Sequence, residues 1–354
     1  MINLNYIAPL NQLGYGQTSK NFAISMLKAG VDLSIFPISE ISIEHEAYMK
    51  LQRFIPKISQ KKIDKNANCL KIWHQNDLYE FVGKGKHIGF PIFELDRFTE
   101  AEKHSLNHCD EIVVCSEWAA GIVRNSGIAR PVKVVPLGYD PNIFRPAPIL
   151  KGSTKFFNCG KWELRKGHDF ILECFNKAFT MKDDVQLIMM CDNPFLPEQT
   201  KEWMKLYKNS NMGGKITFVP RQESHENVYY IMKQVDCGLF PARAEGWNLE
   251  LLEVLACGKH AITTNYSGHT EFCKEGCHLI DIDSLEVAKD NIWFHGDGLW
   301  AKLGEAQLDQ TVEYMRTIHD LKKSGNLSPN TAGITQASDF TWDKSTNKLI
   351  EVIT

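Results

Sequence analysis

The 354-residue sequence predicts an α/β protein made of two successive doubly wound units. Three observations carry that expectation. Short apolar, β-branched runs alternate with helix-like stretches through most of the chain, the pattern of parallel strands joined by crossover helices. A segment with three prolines and a glycine, "YDPNIFRPAPILKGS" (139–153), interrupts the pattern, which then restarts. The chain also exceeds one typical domain, and its hydrophobic content of 43% is enough for a sizeable core.

In the first half the expected strands are "VDLSIFPI" (31–38), "CLKIWH" (69–74), "HIGFPIFE" (87–94), "EIVVCS" (111–116) and "VKVVPLG" (132–138). In the second they are "KFFNCG" (155–160), "VQLIMMCD" (185–192), "KITFVP" (215–220), "VDCGLFPA" (235–242), "HAITTN" (260–265) and "CHLIDID" (277–283). These give a first domain over 1–145 and a second over 150–335, with 139–153 as linker. The tail 336–354, through "DFTWDKSTNKLIEVI", reads as an amphipathic helix that packs back on the first domain. Ligands of such sheets bind beyond the carboxyl ends of the strands, so two facing lobes can share one ligand across a cleft.

The start "MINLNYIAPL" lacks a basic region followed by an apolar run, and no window reaches eighteen unbroken apolar residues. A soluble, cytoplasmic protein is expected, with peripheral membrane contact at most. Ten scattered cysteines read as reduced core thiols. Cys273 and Cys277 with His278 have the spacing of a metal half-site, but no second half follows, and no metal site is expected. The net charge of −3 excludes a generally basic nucleic-acid binder. Between residues 50 and 90, however, nine basic residues stand against three acidic ones. That run is either a solvated surface or a face for a polyanionic partner, nucleic acid or anionic membrane.

Three stretches carry chemistry. In "LGYGQTSKNFAISMLKAG" (13–30), Gly14 and Gly16 precede a helix-like run. Glycines let backbone approach a ligand, and a helix start offers free N–H groups to an anion; a simple tight turn is the other reading. In "NCGKWELRKGHDFILECF" (158–175), Lys161 and Lys166 sit on a loop between a strand and a helix, where both cations and the helix dipole suit a diphosphate. In "AEGWNLELLEVLACGK" (244–259), Glu245 and Glu253 are separated by seven residues around an apolar helix that stops at Gly258. Burying Glu253 costs several kcal/mol unless something pairs with it. The partner is either a structural cation or a ligand's vicinal hydroxyls, which a carboxylate holds with two charge-assisted hydrogen bonds.

Together these residues resemble the family-4 retaining glycosyltransferases of the GT-B fold. "EGWNLELLEVLACG" resembles their E-x(7)-E element and "CGKWELRKG" their donor-phosphate loop. The resemblance extends to the glycine loop at 14–16, "VVCSEW" (113–118), "VPLGYDPNIFRP" (135–146), "SGHTEF" (267–272) and "FTWDKS" in the tail. It implies two Rossmann-like domains, the second binding a nucleoside-diphosphate sugar, UDP-linked by preference and GDP-linked as the alternative. Lys161 and Lys166 would hold the diphosphate with Gly14 and Gly16, Glu253 the ribose, and Glu245 the donor sugar, within the loop Gly246, Trp247, Asn248 and Leu249. The family commonly has Arg where Lys161 stands, and Gly or Ala where Asn248 stands. It often places His after the strand equivalent to "IGFPIFE"; here Glu94 or Asp96 in "FELDRF" takes that place, with His74 in "WHQND" a second candidate or a core histidine.

The resemblance implies sugar transfer with retention, without prosthetic group or catalytic metal, although "DID" (281–283) mimics a metal pair. No enzyme nucleophile is evident. Front-face substitution is therefore expected, with Lys161, Lys166 and backbone N–H groups near Gly16 stabilising the leaving diphosphate. The expected acceptor is a surface glycan or lipid-linked saccharide. Hydroxymethylated DNA is the alternative, with a flipped base. A nucleotide-sugar epimerase and a non-catalytic nucleotide-sugar sensor are the competing classes. A nicotinamide oxidoreductase lacks its glycine fingerprint.

Overall fold

Two six-stranded parallel sheets organise the chain, which is described by a computed structural model covering residues 2–354. The first unit comprises Met1–Gly138 together with Phe340–Thr354, and the second Tyr139–Asp339.

The first unit runs β1 (Asn3–Ala8), α1 (Gly14–Lys28), β2 (Asp32–Pro37), α2 (His45–Leu51), α3 (Pro56–Ser59), β3 (Asn68–Ile72), β4 (His87–Phe90), α4 (Glu100–Leu106), β5 (Glu111–Val114), α5 (Glu117–Asn125) and β6 (Val132–Val134). Its strand order is β2-β1-β3-β4-β5-β6, which reverses direction of progress between β1 and β3. β1 is a correction to the sequence reading, which began the strands at residue 31. Its polar Asn5 hides the apolar run, yet Asn5 is buried and donates to the carbonyls of Asp64 and Val82, which is what makes it tolerable there. Leu106, Ile112, Val114 and Phe93 centre a core cluster on the β4–β5 side.

The second unit runs β7 (Thr154–Lys161), α6 (His168–Ala178), β8 (Val185–Asp192), α7 (Pro197–Lys208), β9 (Ile216–Phe218), α8 (His225–Met232), β10 (Cys237–Phe240), α9 (Leu249–Ala256), β11 (His260–Thr264), β12 (Cys277–Ile280), β13 (Leu285–Lys289), β14 (His295–Ala301), α10 (Glu305–Lys323) and α11 (Thr331–Ala337). The order β12-β11-β10-β7-β8-β9 reverses between β7 and β10. β13 and β14 form a separate antiparallel hairpin that the sequence reading missed. Its alternation is broken by Asp290, Gly296 and Asp297, and its large apolar residues are mostly exposed.

The stretch expected as linker belongs to the second unit: Ala147 N–H donates to Cys257 O, and Lys259 Nζ to Pro148 O. α12 (Trp342–Ile353) returns the chain to the first unit, where Trp342 meets Phe22 of α1 edge-on at 5.3 Å. Within the basic stretch 50–90, four lysines are ion-paired: Lys50 to Glu46 (2.7 Å), Lys61 to Asp32 (2.5 Å), Lys71 to Asp77 (3.5 Å) and Lys86 to Glu111 (2.9 Å). Arg53, Lys57, Lys62, Lys65 and Lys84 are exposed. Among the described residues no helix is long and apolar enough to cross a membrane.

Candidate active site

In the second unit the loops after β7 and β10 meet where the strand order reverses, the position at which open parallel sheets bind ligands. Arg243 N–H donates to Arg165 O (2.7 Å) and Arg165 Nη1 to Ala244 O (2.7 Å), so each loop satisfies backbone groups of the other. Glu245 is buried between two cations, Lys166 (2.9 Å) and Arg165 (3.0 Å). Burial alone would raise its carboxyl pKa, but Arg165 and Lys166 overcome this and hold it at about 2. Burial likewise works against a charged Lys166, and Glu245 with Glu250 outweighs it, so its pKa is raised and the ammonium persists. Lys166 gives one of its three donors to Glu245, and an ammonium of this kind can offer the others to an anion.

The β7 loop is braced from below by His168. Burial, with Lys166 nearby, lowers its pKa to about 3, so the ring is neutral. Nδ1 accepts from Glu163 N–H (3.0 Å), which leaves Nε2 to donate to Asn158 Oδ1 (3.1 Å). Glu163 in turn pairs with both Lys161 and Arg165. Arg243 binds Asp169 through two 2.8 Å bonds and Leu164 O at 2.7 Å.

The β10 loop is braced from the side by the turn after β11. Ser267 Oγ accepts from Glu245 N–H (2.8 Å), and Gly268 N–H donates to Glu245 O (2.8 Å). Asn248 caps α9 with its side-chain oxygen on Leu251 N–H, in a left-handed conformation at φ +80°. Asparagine is among the side chains that best tolerate that region while capping. The early amides of α9 and its dipole favour an anion near Leu249 and Glu250. Glu253 lies on the next turn of α9, only 9% exposed, and Trp247 is buried against Phe272 at 4.9 Å.

The first unit shows a second cluster at its own reversal point, between β1 and β3. Tyr15, between Gly14 and Gly16 in the first turn of α1, donates its hydroxyl to Ile92 O (2.6 Å) and accepts from Ile92 N–H (2.9 Å). His74 follows β3 and is exposed, its ring 4.6 Å from that of Tyr15, so it is not a core histidine. Glu94 is half-buried on the same loop as Ile92; burial, with the Glu94 charge adding to it, sets the Tyr15 pKa well above its ordinary value, against the opposing pull of the hydrogen bond to Ile92. Asp96 pairs with Arg97 (3.4 Å). Gly16 is sterically required, since a Cβ there would meet Asn11 O at 2.3 Å, whereas Gly14 has open space.

The structure therefore brings Lys161, Lys166, Glu245, Gly246, Asn248 and Leu249 onto adjoining loops of one unit, with Glu253 on the helix that follows. Gly14, Gly16, His74 and Glu94 adjoin in the other. Glu163, Arg165, His168, Arg243 and Ser267 were not singled out from the sequence. The adjacency of Arg165 to Lys166 was the available signal, but a loop Arg beside a Lys reads as one more solvated cation. Cys273 is buried, and His278 lies 5.1 Å from the ring of Tyr314. Asp281 accepts from Gln307 through its carbonyl and from Gln310 through its carboxylate, and its N–H donates to Gln310 Oε1.

Two parallel α/β units with reversal-point loops of this kind define the GT-B glycosyltransferase fold. The whole chain is similar to sucrose-phosphate synthase from Thermosynechococcus elongatus, at 12% identity and a TM-score of 0.72 over 99% of this chain and 98% of that one. It is also similar to Anabaena HepE in complex with UDP-glucose, at 12% identity and a TM-score of 0.70 over 100% and 99%. Residues 140–291 match the family model of glycosyl transferases group 1. A curated relative, the sucrose synthase of Melioribacter roseus, is 23% identical over 180 residues. That match spans 45% of this chain and only 23% of the relative.

Proposed function

We propose that this chain transfers a sugar from a nucleoside-diphosphate sugar to an acceptor hydroxyl, with retention of configuration at the anomeric carbon. The carrying observation is the Lys166–Glu245–Arg165 arrangement at the start of α9, with Glu253 on the next turn. Lys166, Lys161 and the early amides of α9 would meet the diphosphate, and Glu253 the ribose hydroxyls. As the glycosidic bond to the diphosphate breaks, negative charge grows on the leaving phosphate oxygens, and fixed cations and amides there stabilise that charge without reorganising. The donor phosphate oxygen takes the acceptor proton as the acceptor oxygen bonds to the anomeric carbon on the same face. Glu245, ionised and held by its cations, is assigned to the donor sugar.

The first unit's cluster of Tyr15, His74 and Glu94 is assigned to acceptor recognition. A UDP-sugar is the first choice of donor, because HepE was crystallised with UDP-glucose. A saccharide or lipid-linked saccharide is the proposed acceptor class. Seven exposed cations in the 50–90 stretch keep hydroxymethylated DNA as the second reading.

The test is nucleoside-diphosphate release from UDP-, GDP- and ADP-sugars, with saccharide acceptors or hydroxymethylcytosine DNA, at low and high salt. Acceptor-dependent release with a retained anomeric signal by NMR supports the reading. Steep salt sensitivity with DNA alone would move the acceptor to DNA. Epimerised donor formed without acceptor, or binding without turnover, would overturn transfer. Glu253→Ala is expected to weaken donor binding at least about tenfold, or ~1.4 kcal/mol, and Lys166→Ala to lower turnover by about 10²-fold.

A further inference from the structure

Lys161 closes β7 at the rim of the phosphate loop, paired with Glu163, its side chain 28% exposed. Two exposed aromatic rings stand over it. Phe195, in the loop after β8, is 54% exposed, and Trp293, at the tip of the β13–β14 hairpin, is 42% exposed. The rings meet edge to face at 5.8 Å. Lys161 Nζ lies 4.5 Å from the Trp293 centroid and 5.6 Å from that of Phe195.

The hairpin is built to hold Trp293 there. Asp290 Oδ1 accepts the amides of Ile292, Trp293 and Phe294 at 2.8, 2.8 and 2.9 Å, and Asn291 turns the chain at φ +60°. At the hairpin's other end Trp300 is buried and donates to Glu286 (3.2 Å), and Glu286 pairs with Arg243 (3.4 Å). Ala301 N–H donates to Arg243 O (2.9 Å). Arg243 is the residue that also binds Leu164 O and Asp169, so the hairpin is tied to both loops of the candidate site. Trp293 lies beyond residue 291, where the family match ends.

We propose that Trp293 is a positioning residue for Lys161, holding its ammonium at the mouth of the phosphate loop for an incoming diphosphate. This rests on the donor-site reading above. A lysine has many rotamers, and ordering it when the anion arrives weakens binding. An indole face attracts the ammonium and narrows those rotamers beforehand, more strongly than a phenyl ring would. The Glu163 carboxylate and the ring faces together fix where the ammonium sits.

The experiment is UDP affinity by calorimetry and donor kinetics for wild type, Trp293→Ala, Trp293→Phe, Lys161→Ala and the Trp293→Ala/Lys161→Ala double variant. Trp293→Ala is expected to raise the UDP Kd and donor KM about three- to tenfold, with kcat changed less than about twofold. Trp293→Phe should recover part of the loss. In the Lys161→Ala background the Trp293→Ala effect should vanish, which a purely structural role of the exposed indole would not produce. Wild-type binding with Trp293→Ala unchanged, or losses that add fully in the double variant, overturns the inference and leaves the donor site standing. Failure of the wild type to bind any of UDP, GDP or ADP overturns the donor-site reading, and this inference with it.

Discussion

Glu245 sets an acid limit on the site through its own ionisation. Its folded-state pKa is about 2 against an ordinary 4.5, so between those values the unfolded chain binds more protons than the folded one. Its contribution is therefore fully present above about pH 4.5 and is lost as pH falls toward 2. The size is on the order of 3 kcal/mol at about 1.4 kcal/mol per unit. Urea unfolding followed from pH 6 to 3 is expected to show that loss, and Glu245→Gln should flatten the dependence while lowering stability near neutral pH. An unchanged pH profile in Glu245→Gln would refute the assignment. The sequence made Glu245 visible by its spacing from Glu253, and Lys166 by its place between a strand and a helix, but not Arg165. Arg165 carries no periodic signal: nothing local distinguishes a buried guanidinium bound to Glu163, Ala244 O and Glu245 from a solvated one.

Elements position these residues through close backbone contacts. A Cβ on Gly268 would meet Gly246 O at 2.0 Å and Glu245 O at 2.8 Å, both backbone atoms of the loop after β10. Gly268→Ala is therefore expected to push that loop out of place, with UDP affinity lowered more than about tenfold and stability by about 1–3 kcal/mol. The paired glycines of α1 give the internal contrast. Gly16→Ala collides with Asn11 backbone and should destabilise by a similar amount, whereas Gly14→Ala meets nothing and should leave stability equal or slightly raised, since alanine favours helix. Thermal melts of the two variants check this, and equal effects would contradict it. Periodicity located most strands because parallel strands buried on both faces read as apolar runs. It failed at β1, whose Asn5 amide nitrogen donates to loop carbonyls far along the chain, at Asp64 and Val82, and at the β13–β14 hairpin, whose apolar side chains mostly face solvent.

At the scale of the whole chain, the last fifteen residues complete the first unit after the second has been made. Asp343 accepts from Lys28 (2.6 Å) and Ser25 (3.2 Å), Asn68 donates to Ile353 O (2.8 Å), and Leu349 is fully buried. A Cβ on Gly138 would meet Thr341 C and Trp342 N at 2.4 Å, so the departing and returning segments are in backbone contact within that unit. The exposed ion pair adds little, and the burial of Trp342, Leu349 and Ile353 dominates. Because each unit has its own sheet and Leu349 belongs to the first, Leu349→Ala should lower the first unit's stability by about 2–5 kcal/mol while leaving the second unit's unfolding unmoved. Hydrogen exchange resolves the two: protection should fall across β1, β3 and α1 and hold across β7, β8 and β10. Loss of protection in both units alike would mean that they unfold together, and that α12 stabilises the chain as one cooperative body instead of one unit within it.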